Sequence, residues 1–217
     1  MSTFVRNLTI RTHDLGHAAT LLLTFDKDVE GIYKDYFPVV WHVVAFGAKG
    51  SYAMHATYTN QLTFLKPQVD SGSIIGAETY IDINYNQSTT LTEEEGVFYF
   101  SSPTTGKENY VIALNETGSP QDLAIGIWPL CFKDSDGRDQ LPTSALYFDS
   151  VRDKSNVTAQ FIPILRAYIT SDYKETDILR SPIKTKVIWE VNLAELKETT
   201  SWNLSINNTD EYKITPS

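Results

Sequence analysis

Residues 41–59, WHVVAFGAKGSYAMHATYT, constrain the fold of this chain more than any other stretch. Two runs rich in β-branched and aromatic residues flank Gly47-Ala48-Lys49-Gly50, and glycines between such runs are turn residues. The pattern predicts a β-hairpin. On its first arm Trp41, Val43 and Ala45 share one face, and His42, Val44 and Phe46 share the other. Neither face is polar, so the hairpin is expected to be covered on both sides and to lie at the centre of the fold.

Two registers are open. With a four-residue loop, Phe46 pairs with Ser51 and His42 lies opposite His55. With Gly50 as a left-handed bulge residue in a three-residue loop, His42 meets Ala56 and the two rings point to opposite faces. In the first register the imidazoles share an apolar wall, either as a site or as two hydrogen-bonded core histidines. The candidate ligand-binding residues are therefore Trp41, His42, Phe46, Tyr52, His55 and Tyr58, a set of flat rings with a few polar tips.

The rest of the chain reads as many short strands separated by turn signals. Residues 4–12 and 17–25 suggest a first hairpin closed at Asp14-Leu15-Gly16. In that hairpin His13 and His17 would be neighbours across the turn. Asp26, Asp28 and Glu30 with Gly31 imitate the opening of a calcium loop, but the twelfth position is Phe37 where a carboxylate is required, so the motif is discarded. Strands follow over 61–66, 73–85, 97–101, 110–115, 123–132, 145–151, 157–170, 184–191 and 201–207, with an acidic turn at TEEEG. Residues 171–180 carry an N-cap serine, early acidic residues, a late arginine and a following proline, which predicts a short helix. Residues 192–198 predict one or two further helical turns, and the polar tail is expected to fray. The fold class is all-β: one domain, an antiparallel β-sandwich of two packed sheets with one or two short helices in the C-terminal third.

Charge and cysteine content bound the partners. A net charge of −9 and a pI near 4.9 exclude a basic patch able to displace counterions from phosphate, so neither nucleic acid nor an anionic membrane is expected as a partner. A homodimer is compatible with exposed sheet edges. The single cysteine, Cys131, lies in an apolar run and forbids an intrachain disulfide. With no apolar leader in the opening residues, a cytoplasmic location is expected. Asn-x-Ser/Thr sequons at Asn7, Asn86, Asn115, Asn156, Asn203 and Asn207 point the other way, toward secretion, unless they are a by-product of Ser/Thr-rich strands.

Catalytic signatures are absent from the sequence: there is no nucleophile elbow, phosphate loop, dinucleotide fingerprint or zincin helix. An enzyme would rest on His42 and His55 alone. The loop KDSDGRD is the metal candidate, because Asp134, Asp136 and Asp139 surround Gly137 and could offer oxygen ligands to Mg²⁺ or Ca²⁺. The same residues also suit an acidic surface turn.

Three stretches carry a resemblance. WHVV leads into ATYTNQL at 41–62, AQFIPILRAY leads into SDY at 159–173, and VIW leads into NLA at 187–194. Together they resemble a family of fruiting-body proteins of gilled mushrooms (basidiomycetes) that includes pigmented chromoproteins. The resemblance implies a soluble protein holding a small conjugated pigment, indole-like or otherwise planar, without a covalent bond and with a metal ion. It supplies no site motif, so the candidate residues stand on the reading of the sequence alone. Non-enzymatic pigment binding is the first expectation, a carbohydrate-binding lectin or defence protein the second, and a hydrolase or isomerase using His42 and His55 the third.

Overall fold

The structure, a computed structural model, describes residues 3–27, 30–130 and 140–217. Its strands, numbered in chain order, form four sheets. The first sheet runs β18 (Tyr212–Pro216), β17 (Thr199–Ile206), β1 (Val5–His13), β5 (Ser51–Thr59). The second runs β16 (Trp189–Asn192), β15 (Ile164–Ile169), β2 (Ala19–Thr24), β4 (Val40–Phe46). The third runs β3 (Phe37–Pro38), β13 (Thr143–Val151), β12 (Gln121–Ile127), β6 (Leu62–Asp70), β7 (Ser73–Ile83). The fourth runs β10 (Thr104–Thr105), β8 (Gln87–Glu94), β11 (Val111–Asn115), β14 (Asn156–Ala159), and β9 (Val97–Phe100) pairs further along β8. The all-β expectation holds in a sandwich-like arrangement, but with four sheets where two were expected. One apolar cluster draws on all four, through Ile10, Leu23, Phe64 and Leu91 among others.

The hairpin over 41–59 does not exist. β4 pairs with β2, and β5 pairs with β1, so the chain at residues 47–50 crosses from one sheet to another. The expected first hairpin fails in the same way: β1 and β2 belong to different sheets. The result is two arches laid one on the other. Asp14 N donates to Gly50 O at 3.0 Å, Gly16 N to Ala48 O at 2.8 Å, and Gly50 N to the Asp14 carboxylate at 2.8 Å. Gly16 and Gly50 take left-handed backbone at φ 85° and 95°, where a side chain is strained. Both of the registers read from the sequence are therefore wrong: Leu23 is the partner of His42, and Thr9 the partner of His55.

Double coverage holds for only part of the apolar arm, since Ala45 is exposed, and β4 is an edge strand and not a central one. Leu22, Val40 and Val43 pack outward against Tyr168, Leu179 and Ile183 in a second apolar cluster. The segment that covers them is the one expected to be helical. Residues 171–180 contain no helix. They run beside β3 and β4, where Thr176 N donates to Val40 O at 2.9 Å and Val40 N to Asp177 O at 2.9 Å. Asp177 competes with any helix by accepting from Lys174 N at 2.7 Å and from Ser73 Oγ at 2.5 Å. The second expected helix shrinks to a single 3₁₀ turn, Leu193–Glu195, capped by Asn192 Oδ1. The antiparallel expectation is also incomplete. β1 pairs with β17 and β8 with β11 in parallel: between β1 and β17 the chain passes through the other three sheets, and between β8 and β11 it returns by way of β9 and β10, which pair with β8 itself. The tail is ordered as β18, and β8 lies where no strand was read. The acidic TEEEG turn does close a hairpin, with Glu95 and Gly96 both at positive φ as a type I′ turn needs.

Candidate functional site

The expected ligand residues scatter. Trp41 and Phe46 point into the core, Trp41 against Phe25 with ring centroids 5.2 Å apart. His42 faces outward and bonds through Nδ1 to Glu175 Oε1 at 3.2 Å. His55 lies on the surface of the first sheet, 3.2 Å from Thr9 Oγ1. Tyr52 is 41% exposed and folds back over Gly47. A histidine pair for acid–base chemistry is therefore not assembled. The aspartates of the expected metal loop, Asp134, Asp136 and Asp139, lie outside the described residues. Among the described residues no group of three His, Cys, Asp or Glu side chains could hold a metal ion, and no helix is long and apolar enough to cross a membrane.

Of the six, Tyr58 lines a hollow walled by described residues. It sits near the end of β5, where the chain leaves the first sheet for the third. The hollow measures about 270 Å³ and is walled by Phe4, Tyr58, Leu62, Tyr85 and Phe161. Three separate links bring these rings together. Phe4 is held by Asn60, whose Oδ1 accepts from Phe4 N at 2.7 Å. Tyr85 comes from the link between β7 and β8 and donates its hydroxyl to Phe161 O. Phe161 comes from the link between β14 and β15, where Pro163 ends the ladder, and its ring meets Phe25 edge-on at 5.2 Å. Phe25 also lies 6.1 Å from Tyr58, so the wall of the hollow is continuous with the aromatic core.

The hollow is walled by neutral rings with a few polar tips. Tyr58 is only 2% exposed. Burial, with the neighbouring Tyr85 phenol, pushes its pKa above the ordinary tyrosine range, so its hydroxyl stays protonated. That hydroxyl has no hydrogen-bond partner among the described residues. The carboxamides of Asn109 and Gln160 line the rim and make no side-chain hydrogen bond among the described residues either. Among the described residues no lining side chain is a carboxylate, histidine, cysteine or lysine. Arg6 stands behind Phe4, its guanidinium 4.3 Å from that ring, and spends its donors on Val5 O, Leu193 O and Ala194 O. The hollow can therefore hold a flat neutral surface and offer hydrogen bonds, but it brings no nucleophile or general base to it.

Two polar groupings lie elsewhere. His13 Nδ1 is 2.8 Å from Ser51 Oγ, and His13 Nε2 is 3.1 Å from Asp14 Oδ2, a serine–histidine–aspartate chain. Its His13 side chain is 75% exposed, and none of its members lines a hollow described in this structure, so nothing would position an acyl group. Asp26 is buried, with Tyr168 donating at 2.6 Å and Tyr33 at 3.3 Å to Oδ2. Neither grouping was legible in the sequence, because their members lie up to 142 residues apart. Pro163 and the rings around it in AQFIPILRAY are the one local signal that could have pointed to the hollow.

No protein-family model, no curated protein and no solved structure matches the chain.

Proposed function

We propose that this protein is a non-enzymatic binding protein that holds a small planar conjugated molecule, a pigment, without a covalent bond. The observation that carries the reading is the hollow of about 270 Å³ with Tyr58, Tyr85, Phe4 and Phe161 in its walls and no carboxylate, histidine, cysteine or lysine among its described lining residues. Its volume lies just below the range of about 300–1,000 Å³ usual for ligand pockets, which limits the occupant to something as small as a fused two-ring molecule. Fixed rings and a dry wall would shift the absorption of such a molecule and shield it from water. A divalent ion at Asp134, Asp136 and Asp139 belongs to the same reading, on sequence grounds, and the metal content of purified protein is its test. The main test is an absorption spectrum of protein purified from its source, with the mass of any extracted small molecule. A visible band that survives dialysis supports the proposal. A spectrum without one, before and after planar ligands and divalent metal are added, overturns it. Tyr85→Ala is expected to weaken retention of the bound molecule about tenfold by removing one wall.

The open carboxamides of Asn109 and Gln160 favour a second reading, a carbohydrate whose apolar face lies on Tyr58 or Tyr85 while its hydroxyls meet the amides. Silence on a glycan array with and without Ca²⁺ removes it.

A further inference from the structure

We infer that the hollow adjoining the aromatic one is a cation subsite, and that the ligand is a flat ring bearing a protonated amine. This rests on the ring-binding reading above and narrows the class of molecule that fits it. The adjoining hollow, about 200 Å³, shares Asn60, Leu62 and Tyr85 with the first. Its chemistry is different: Asp82, Asn84, Asn86 and Trp128 line it, and among the described residues Asp82 is the single ionisable group other than a phenol in either lining.

Asp82 is held ready for a ligand. On β7 it alternates with Ile81 and Ile83, which pack toward the core, so its carboxylate faces out into the hollow. Trp128 Nε1 donates to Oδ1 and fixes the rotamer, while Oδ2 has no hydrogen-bond partner among the described residues. No lysine or arginine among the described residues pairs with it. The contrast is with Asp149, Glu78 and Glu190, each of which has a cation within 3.1 Å. Beside it, Asn84 donates through Nδ2 to Gln87 Oε1, which leaves its carbonyl oxygen as the open end. An ammonium group, with three donors and no acceptor, matches a carboxylate oxygen and an amide oxygen. An anionic tail would find no lysine or arginine in either lining among the described residues, since Arg6 stands behind Phe4 with three of its five donors on backbone carbonyls, and it would meet a protein of net charge −9.

The test is calorimetric titration of the protein with three probes that share one ring system: tryptamine, 3-methylindole and indole-3-acetate. Tryptamine is expected to bind about fivefold tighter than 3-methylindole, the increment of a half-exposed ion pair, and indole-3-acetate weaker than both. In Asp82→Asn, which keeps an acceptor for Trp128, the tryptamine to 3-methylindole ratio is expected to fall to about one. Equal affinities in the wild type, or a preference for the acetate, overturn the cation subsite while leaving the ring site standing. Failure of all three probes to bind overturns the ring site and the subsite with it. The wild-type series decides the question even where the variant does not fold.

Discussion

Asp26 is 3% exposed, and its Oδ1 has no partner among the described residues although two phenols bond to Oδ2. Burial raises its pKa, because a charged carboxylate loses its hydration there. A carboxyl that holds its proton more tightly when folded stabilises the fold fully only in acid. Its contribution fades as pH climbs from about 4, the unfolded value, through the raised folded one, and above that it is gone. Glu190 runs the other way: Lys27 and then Arg166 lower its pKa, so its contribution is lost as pH falls. Asp26→Asn removes the first titration and leaves the second. Relative to wild type, the variant is expected to gain stability from about pH 4 upward and then level off, measured by urea denaturation across the range. A difference that does not vary with pH would sink the account. Single residues such as these are where the sequence was least readable. Glu175 meets His42 across 133 positions, and no local pattern announces it.

Arches replace hairpins at the level of elements, and the sequence signal is the same for both. An apolar run, a glycine turn and a second apolar run fit a chain that folds back within one sheet, and they fit equally a chain that steps across to a facing one. Long-range partners decide which, because β4 gains its ladder from β2 and β5 from β1. The clamp between the two arches depends on Asp14, whose carboxylate accepts from Gly50 N and whose backbone is left-handed at φ 44°. Asp14→Ala is expected to cost about 1–2 kcal/mol in chemical denaturation, from the lost bond and the left-handed strain, while Asp14→Asn keeps most of both. The edge of β4 gives a second check. Glu175 Oε1 accepts from Val43 N at 3.0 Å, so Glu175→Ala is expected to speed hydrogen exchange at the Val43 amide, read by NMR, and to leave β2 amides protected. Unchanged exchange at Val43 would show that this side chain does not secure the edge.

For the whole molecule, the shared apolar cluster predicts that the four sheets unfold as one cooperative body. Leu21 in the second sheet and Phe64 in the third are both fully buried in it. Leu21→Ala is expected to cost about 2–5 kcal/mol and Phe64→Ala about 3–5 kcal/mol. Each should shift the same single unfolding transition, seen by tryptophan fluorescence and far-UV circular dichroism together. Two separable transitions, each moved by one variant, would mean that the sheets melt as independent units. Trp189 in β16 and Trp202 in β17 meet edge-on at 4.9 Å across the first two sheets, so the fluorescence reports on that junction.

Residue chemistry alone determined that this chain is built of strands. Alternation and β-branching are local properties, and they placed β6, β7, β9, β11, β13 and β17 within a few residues of where they lie. Turn chemistry at Glu95-Gly96 was equally local and equally legible. Tertiary structure decided which strands pair, that residues 171–180 serve as an edge cover and not a helix, and that the candidate site stands at Tyr58 and not between the histidines. Each of those outcomes depends on backbone hydrogen bonds and apolar faces supplied from distant parts of the chain. A strand's own residues specify how it can be buried, but only the surrounding chain specifies what buries it.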